Sequence, residues 1–235
     1  MDHFKNIYTN KAQEYQNMIA AEDVDCNLVP ALKRVISFSG KTILDLGTGT
    51  GRLPLLLSDQ DTKFIGLDLH RAMLLENQAQ REKDGGYWEL VQGDIHNLPF
   101  PSWWVDVAIA GWAIGHLRSW FADQWRAHIF RVLDEMQRVV KPGGTLLIIE
   151  TLGTGSLIPA PPTSELAEYY NYLEDEWGFK RQQIQTDYVF PSIEAAVEYT
   201  EFFFGAELAK KIRRNGWSQL PEWTGVWGKR MKAGG

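Results

Sequence analysis

The fold of this chain is decided by the stretch ILDLGTGTGRL at residues 43–53. Its first residues, through Leu46, form an apolar strand pattern, and the glycines that follow interrupt that pattern before a helix pattern begins near Arg52. Because glycine has no Cβ, a ligand can approach the main chain of such a turn closely. The stretch therefore predicts a strand, a nucleotide-binding turn and a helix.

The spacing of the glycines separates three kinds of nucleotide site. A dinucleotide site of the GxGxxG type requires a third glycine at the position that Arg52 occupies. A phosphate-binding P-loop requires GxxxxGK[ST]; the only Gly-Lys-Thr, at residues 40–42, precedes the strand and has Val35 in place of the first glycine. What remains is GxGxG at residues 47–51, directly behind a strand that carries an acidic residue.

Three later strand patterns end at positions that suit a ligand. The run at 64–68 ends in Asp68, about 20 residues after the glycines, where nucleotide folds place the carboxylate that binds ribose hydroxyls. Asp68 is also well placed to cap the helix that follows. The run at 89–95 ends in Gly-Asp-Ile, and the run at 105–112 opens into a loop. In a parallel sheet these strand ends meet at one crevice.

This series resembles the class I S-adenosylmethionine (SAM) dependent methyltransferases, whose first motif is similar to DLGTGTG at residues 45–51. The resemblance covers most of residues 43–150, and it extends to the small-molecule enzymes that include those of ubiquinone and menaquinone biosynthesis. It implies SAM as the cofactor and S-adenosylhomocysteine as the product. The positions expected to bind the cofactor are Asp45, Gly47, Thr48, Gly49, Gly51, Asp68, Leu69, Asp94, Ile95, Ala110, Tyr8 and Tyr15.

The resemblance also implies a role for each acid. Asp45 is expected to face the methionine ammonium, although a buried structural acid that accepts backbone N–H groups of the turn is an equal alternative. Asp68 is expected to bind the ribose diol with its two oxygens. Asp94 is expected beside the adenine amino group, with the backbone N–H of Ile95 facing the ring; a plain turn after the strand is the alternative.

The alternation of strand and helix patterns predicts an α/β fold. We expect a doubly wound, seven-stranded, mostly parallel Rossmann-like sheet in one methyltransferase domain, residues 1–235. Within it we expect an N-terminal helical lid at 1–36, a SAM-binding core at 41–152, and a C-terminal half at 153–235. That half contains a helical cap inserted before the last strand at about 189–217.

The lid and the cap lie outside the predicted cofactor core, and we expect them to enclose the substrate. In related small-molecule enzymes a leading helix closes over SAM and a tyrosine reaches it, which makes Tyr8 and Tyr15 candidates. Both tyrosines can equally pack an amphipathic helix on the core. The cap lies between strand patterns at 182–189 and 224–232.

Two residues beyond the 105–112 run are candidates for the acceptor pocket. Trp112 offers an aromatic wall for a flat apolar substrate or for an amine held by cation–π attraction, with core packing as the alternative. His116 has an ordinary pKa of about 6.5, which suits a general base if the acceptor is a hydroxyl or a carbon acid. A structural role for this histidine is the alternative.

Composition limits the class of protein further. The formal net charge of −6 argues against a nucleic-acid partner, which requires a basic face. Cys26 is the only cysteine, and the five histidines show no metal-ligand spacing, so no disulfide and no metal are expected. No stretch approaches the roughly 20 apolar residues of a bilayer span. We expect a cytoplasmic protein, either a monomer or a homodimer.

The expected function is methyl transfer from SAM to a small, aromatic or amine-bearing molecule. Two other functions stay open at this stage. One is a SAM-binding protein without methyl transfer, such as a regulatory subunit or a SAM-assisted isomerase. The other, less favoured by the glycine spacing, is an NAD-dependent oxidoreductase.

Overall fold

A seven-stranded sheet forms the centre of the computed structural model, which describes residues 2–233. Nine strands occur in this range: β1 (Thr42–Leu46), β2 (Lys63–Asp68), β3 (Trp88–Gln92), β4 (Val105–Gly111), β5 (Val140–Thr154), β6 (Lys180–Gln185), β7 (Tyr188–Val189), β8 (Gln219–Leu220) and β9 (Glu222–Arg230). The sheet has the order β3-β2-β1-β4-β5-β9-β6, and β7 pairs with β8 separately. In the seven-stranded sheet, β9 is antiparallel to both of its neighbours, β5 and β6, and the other strand pairs are parallel. The expected seven-stranded, mostly parallel sheet is therefore confirmed.

Helices connect and cover the strands. They are α1 (His3–Asn10), α2 (Ala12–Ile19), α3 (Leu28–Val35), α4 (Arg52–Leu57), α5 (Arg71–Asp84), α6 (His116–Trp120), α7 (Trp125–Val139), α8 (Ser164–Asn171), α9 (Ile193–Phe204) and α10 (Ala206–Asn215), with a π-helical turn at Tyr172–Glu176. In the predicted cap, α9 begins where the Ser192 hydroxyl accepts the N–H of Ala195, and it ends at Phe204, directly before Gly205.

The central strands β1, β2, β4 and β5 bury side chains on both faces of the sheet, which explains why these strands are mostly apolar. Along β1, Ile43 and Leu44 point to opposite faces, as successive strand residues must. Ile43 lies in a cluster with Leu32 of α3, and Leu44 lies in a second cluster with Ile129 of α7. The helices thus cover the sheet from both sides, and only its strand ends stay open to a ligand.

The predicted strand at 182–189 is wrong in one respect, because two strands occupy it. The chain leaves the main sheet after β6, and Asp187 turns it toward β9: its Oδ1 accepts the backbone N–H of Glu222 at 3.0 Å. The segment then forms β7 beside the cap. The last strand correspondingly begins at Glu222, two residues before the predicted start.

The order of the strands changes direction between β1 and β4. At such a switch point the loops diverge to opposite faces of the sheet and leave a crevice outside the carboxyl ends of the strands. The glycine turn follows β1 and the Trp112 loop follows β4, so both open into this crevice.

Among the described residues, no helix combines the length and apolar content that a bilayer crossing demands.

Candidate active site

Two adjoining cavities open at the crevice. The first, here called the strand-end cavity, has a volume of about 540 Å³ and lies over the ends of the first four strands. The second, here called the lid–cap cavity, has a volume of about 680 Å³ and extends between α1, α2 and the cap helices α9 and α10. Four side chains line both cavities: Tyr8, Tyr15, Trp112 and His116.

The glycine turn forms one wall of the strand-end cavity. Gly47 and Gly49 have φ of +71° and +54°, a conformation that favours glycine. A Cβ on Gly47 would lie 2.7 Å from the Cβ of Ala113, so no other residue fits there without movement of the next loop. The turn therefore presents bare main chain to the cavity, as cofactor approach requires.

Most of the residues predicted to bind cofactor or substrate line this cavity. They are Gly47, Gly49, Asp68, Leu69, Asp94, Ile95, Tyr8, Tyr15, Trp112 and His116. Sequence reasoning did not find Met73 of α5, nor His96 and His128, which face the same space. In the sequence, only their position marks these residues: His96 comes shortly after the end of β3, and Met73 and His128 lie on helices that follow strands.

Asp68 is buried at the end of β2 and is held by two backbone hydrogen bonds. Its Oδ2 accepts the N–H of Gly49 at 2.9 Å, and its Oδ1 accepts the N–H of His70 at 2.8 Å. Burial raises the pKa of Asp68, while these hydrogen bonds oppose the shift. Each carboxylate oxygen has a second lone pair, so both remain able to accept a ligand hydroxyl. The carboxylate thus fits a ribose diol while it also fixes the glycine turn.

Asp94 is exposed at the mouth of the cavity. Its Oδ1 accepts the backbone N–H of His96 at 2.8 Å and lies 2.8 Å from the ring Nδ1 of the same residue. Partial burial works against ionisation, but the hydrogen bonds from His96 hold the pKa of Asp94 below its ordinary value. An ionised carboxylate at this place fits an exocyclic amino group of a base.

Three predicted cofactor residues lie behind the cavity wall, which corrects their expected placement. Thr48 is buried and packs against Gly66 of β2. Gly51, at φ +99°, forms the start of α4, and a Cβ there would lie 2.7 Å from the side chain of Asn77. Ala110 is fully buried in the sheet, and the next residue, Gly111, lines the cavity in its place.

Asp45 also lies behind the wall, with 1% of its surface exposed. Neither of its carboxylate oxygens has a hydrogen-bond partner within residues 2–233, so the predicted alternative of an acid bonded to the turn N–H groups does not hold. Burial raises the pKa of Asp45 to about 7. Asp45 lines neither cavity, so its expected contact with the methionine ammonium stays a prediction.

His116 and Tyr8 form a polar pair in the wall shared by the two cavities. The Tyr8 hydroxyl lies 2.8 Å from Nε2 of His116, whose ring stacks on Trp120 with centroids 5.0 Å apart. Burial lowers the pKa of His116 to about 4. Burial also raises the pKa of Tyr8 far above its ordinary value. Both groups are therefore neutral near pH 7, and the histidine is a weaker base than its sequence position predicts.

Polar contacts join the glycine turn and the start of α4 to α2 and to Glu22 behind it. The hydroxyl of Thr50 donates to Oε1 of Gln16 on α2 at 2.5 Å. Arg52 forms an ion pair with Glu22, which follows α2, and its guanidinium lies 4.3 Å from the ring centroid of Trp112. Arg52, which occupies the position where a dinucleotide site requires its third glycine, thus contacts both Glu22 behind α2 and the ring of Trp112 in the loop after β4.

The lid–cap cavity combines aromatic and acidic side chains. Phe203 and Phe204 of α9 contribute rings from the cap, while Glu22, Glu150 and Glu222 contribute carboxylates. Sequence reasoning did not find these three acids. A signal was available for Glu150, which directly follows the apolar run of β5. Within residues 2–233, no group of three or more His, Cys, Asp or Glu side chains is arranged to hold a metal ion.

Comparison with known sequences agrees with this geometry. Residues 44–148 match the family model described as a methyltransferase domain. A demethylmenaquinone methyltransferase of Oceanobacillus iheyensis is 32% identical over 152 residues, which are 63% of this chain and 60% of that protein. A malonyl-[acyl-carrier protein] O-methyltransferase of Pectobacterium atrosepticum is 31% identical over 136 residues, which are 58% of this chain and 46% of that protein. The matched segments span less than two thirds of either relative.

A solved structure gives the same fold. Phosphoethanolamine N-methyltransferase 2 of Haemonchus contortus, in complex with S-adenosyl-L-methionine, superposes with a TM-score of 0.59 at 16% identity, and the match covers 100% of this chain and 60% of that one. The fold, the motif series and the family model agree. Residues 44–148 are therefore similar to a methyltransferase domain, and the chain is similar in sequence to a demethylmenaquinone methyltransferase and in fold to a methyltransferase solved with S-adenosyl-L-methionine.

Proposed function

We propose that this protein transfers the methyl group of SAM to a small, aromatic or amine-bearing molecule. The observation that carries the proposal is the pair of adjoining cavities, one lined by the cofactor motifs and the other by lid and cap. Their shared wall of Tyr8, Tyr15, Trp112 and His116 is the place where a methyl donor and its acceptor would meet.

In the strand-end cavity, Asp68 would bind the ribose hydroxyls of SAM and Asp94 its adenine amino group. Asp45 would balance the ammonium, which relieves the cost of burying an unpartnered carboxylate. When bound, SAM supplies an activated methyl group: the carbon–sulfur electron pair stays on sulfur, and the acceptor's lone pair forms the new bond. Alignment is therefore the main contribution that this chain has to make.

The shared wall would perform that alignment and keep water out. Trp112 is fixed by Arg52 on one side, so its ring can hold the acceptor in line behind the methyl group. His116, neutral and held by Tyr8, would orient an acceptor hydroxyl or amine through a hydrogen bond. The acceptor's proton would leave after the new bond forms, and in this proposal His116 or solvent would take it.

The setting of the reaction is also part of the proposal. We infer that the enzyme acts in the cytoplasm on a freely diffusing small molecule, without a nucleic-acid partner, as a monomer or a homodimer. The net charge of −6 supports the absence of a nucleic-acid partner. The single cysteine is consistent with a reducing compartment.

Calorimetric titration of the purified protein with SAM, S-adenosylhomocysteine and NADH, side by side, tests the proposal. We expect the first two to bind and NADH not to bind, followed by formation of S-adenosylhomocysteine with aromatic, amine or quinol acceptors. NADH binding alone would overturn the proposal in favour of an oxidoreductase. SAM binding without turnover on any acceptor would favour a regulatory subunit or a SAM-assisted isomerase.

A further inference from the structure

The lid–cap cavity contains more acidic groups than basic partners. The charged residues that line it are Glu22, Glu150, Glu165, Glu222, Arg52 and Arg118. Arg52 pairs with Glu22. Arg118 pairs at 2.8 Å with Glu168, which is outside the lining. Across the described range 2–233, Glu150 and Glu222 therefore take part in no ion pair, although both are buried.

Glu222 presents an unsatisfied oxygen to this cavity. The residue is 2% exposed, and its Oε1 accepts the hydroxyl of Thr151 at 2.7 Å. Its Oε2 is buried without a hydrogen-bond partner in the part of the chain that the structure describes. A buried carboxylate oxygen in this state is costly unless a ligand donates to it. Glu222 is thus arranged to receive a hydrogen-bond donor that enters the cavity.

Glu150 lines the lid–cap cavity beside the start of α6, the helix that carries His116. Its Oε1 accepts the backbone N–H of Gly115 at 2.8 Å and the hydroxyl of Tyr169 at 3.4 Å. Both bonds end on the same oxygen, so Oε2 keeps its capacity to accept. Gly115 directly precedes His116, and Glu150 therefore lies at the wall that the two cavities share.

Aromatic rings complete the cavity. Phe4 of the lid and Phe203 of the cap lie with ring centroids 5.1 Å apart, and Tyr15 lies 5.5 Å from Phe203. Such faces attract a desolvated cation and also accommodate an apolar body. Building on the function proposed above, we propose that the lid–cap cavity binds a small organic cation, an amine with an aromatic or apolar body, whose charge is balanced by Glu150 and Glu222.

The protonation state of Glu150 and Glu222 makes amine binding measurable in two further ways, by proton release and by its pH dependence. Burial raises the pKa of Glu150 and of Glu222 to about 8 in the free protein. Near neutral pH both carboxyls are thus mainly protonated, and an arriving ammonium has to displace those protons. Amine binding therefore releases protons near pH 7, and amine affinity rises as the pH increases toward 8.

Among the groups around the two acids, the tyrosines, His116 and Arg52 do not change charge near neutral pH, whereas burial also raises the pKa of Glu22. Those near Glu222 are Glu22, Arg52, Asp187 and Tyr188, and those near Glu150 are Tyr8, His116 and Tyr169. Burial raises the pKa of the three tyrosines far above neutrality. Burial lowers the pKa of His116 to about 4, and Arg52 stays charged beside Glu22.

The test uses the protein of residues 1–235 saturated with S-adenosylhomocysteine, which cannot donate a methyl group and so prevents turnover. The probes are 2-phenylethylamine, its neutral analogue 2-phenylethanol and the anion phenylacetate, each titrated calorimetrically in buffers of different ionisation enthalpy. We expect the amine to bind most tightly, with proton release. Glu222→Gln, which keeps shape and removes charge, should weaken amine binding roughly 30-fold. The matched control is Glu198→Gln, an exposed position on α9.

The outcomes separate this inference from the proposed function. If S-adenosylhomocysteine binds but the amine binds no more tightly than the alcohol, or does not bind at millimolar concentration, the cation site is refuted while the methyltransferase proposal stands. Failure of S-adenosylhomocysteine itself to bind refutes the function on which the inference rests. Glu150→Gln is the second variant: retained amine preference in both Gln variants, with normal unfolding curves, would also overturn the assignment.

Discussion

Replacement of Asp68 by asparagine separates a ligand-binding role from a structural one. The carboxylate accepts N–H groups from Gly49 and His70 on different oxygens. Asparagine keeps one acceptor and turns an NH2 group toward the other N–H. The ribose meanwhile loses a charged acceptor, a loss of about 1.5–3 kcal/mol, or roughly 10- to 150-fold in the dissociation constant. We expect weaker binding of S-adenosylhomocysteine together with a lower melting temperature.

The assay is calorimetric titration with S-adenosylhomocysteine, accompanied by thermal unfolding without ligand. Asp84→Asn is the matched control, because Asp84 is exposed at the last position of α5. A variant at Asp68 that melts earlier but binds as tightly as this control would refute the ribose assignment. Asp68 would then act only as a cap for the turn and the following helix.

Three further predictions follow from the site. Burial raises the pKa of Asp45 from 3.8 to about 7. The protonated carboxyl of Asp45 therefore stabilises the fold in acid, and this stability is lost as the pH rises through 7. We expect Asp45→Asn to have a higher melting temperature than wild type at mildly alkaline pH, yet to bind S-adenosylhomocysteine more weakly. His116→Gln should lower kcat by roughly 100-fold or more. Because the pKa of His116 is about 4, the wild-type rate should show no histidine step between neutral and mildly acid pH, and such a step near 6.5 would contradict this. Trp112→Ala should raise KM for both substrates, since the ring lines both cavities, and an unchanged KM for SAM would place the ring on the acceptor side only.

The cofactor half of the site could be predicted from the sequence because its chemistry is local. Glycines without Cβ, followed at a fixed spacing by strand-end acids, leave a signal within short segments of chain, and Gly47 and Asp68 lie where that signal places them. The predicted residues that do not line the cavity lie one position or one layer away from it. Ala110 is in the sheet and Gly111 in the cavity, because strand ends cannot be located from sequence to a single residue.

The acidic lining of the lid–cap cavity, where we propose that the acceptor binds, could not be predicted in the same way. Glu22 and Glu222 come from opposite ends of the chain and meet only after the β7 segment has turned away from the sheet. In sequence each is an ordinary polar residue near a strand or helix end. Burial alone makes them informative, and burial of a charged side chain depends on tertiary contacts that no short pattern encodes.

The tyrosines of α1 and α2 border both cavities, which has a kinetic consequence. On the function proposed above, we predict that a movement of α1 and α2 which opens one cavity also opens the other, so that spent cofactor and methylated product leave in a common event. If that opening limits turnover, addition of viscogen to the assay should slow kcat in proportion to the viscosity, and an unchanged kcat would contradict the prediction.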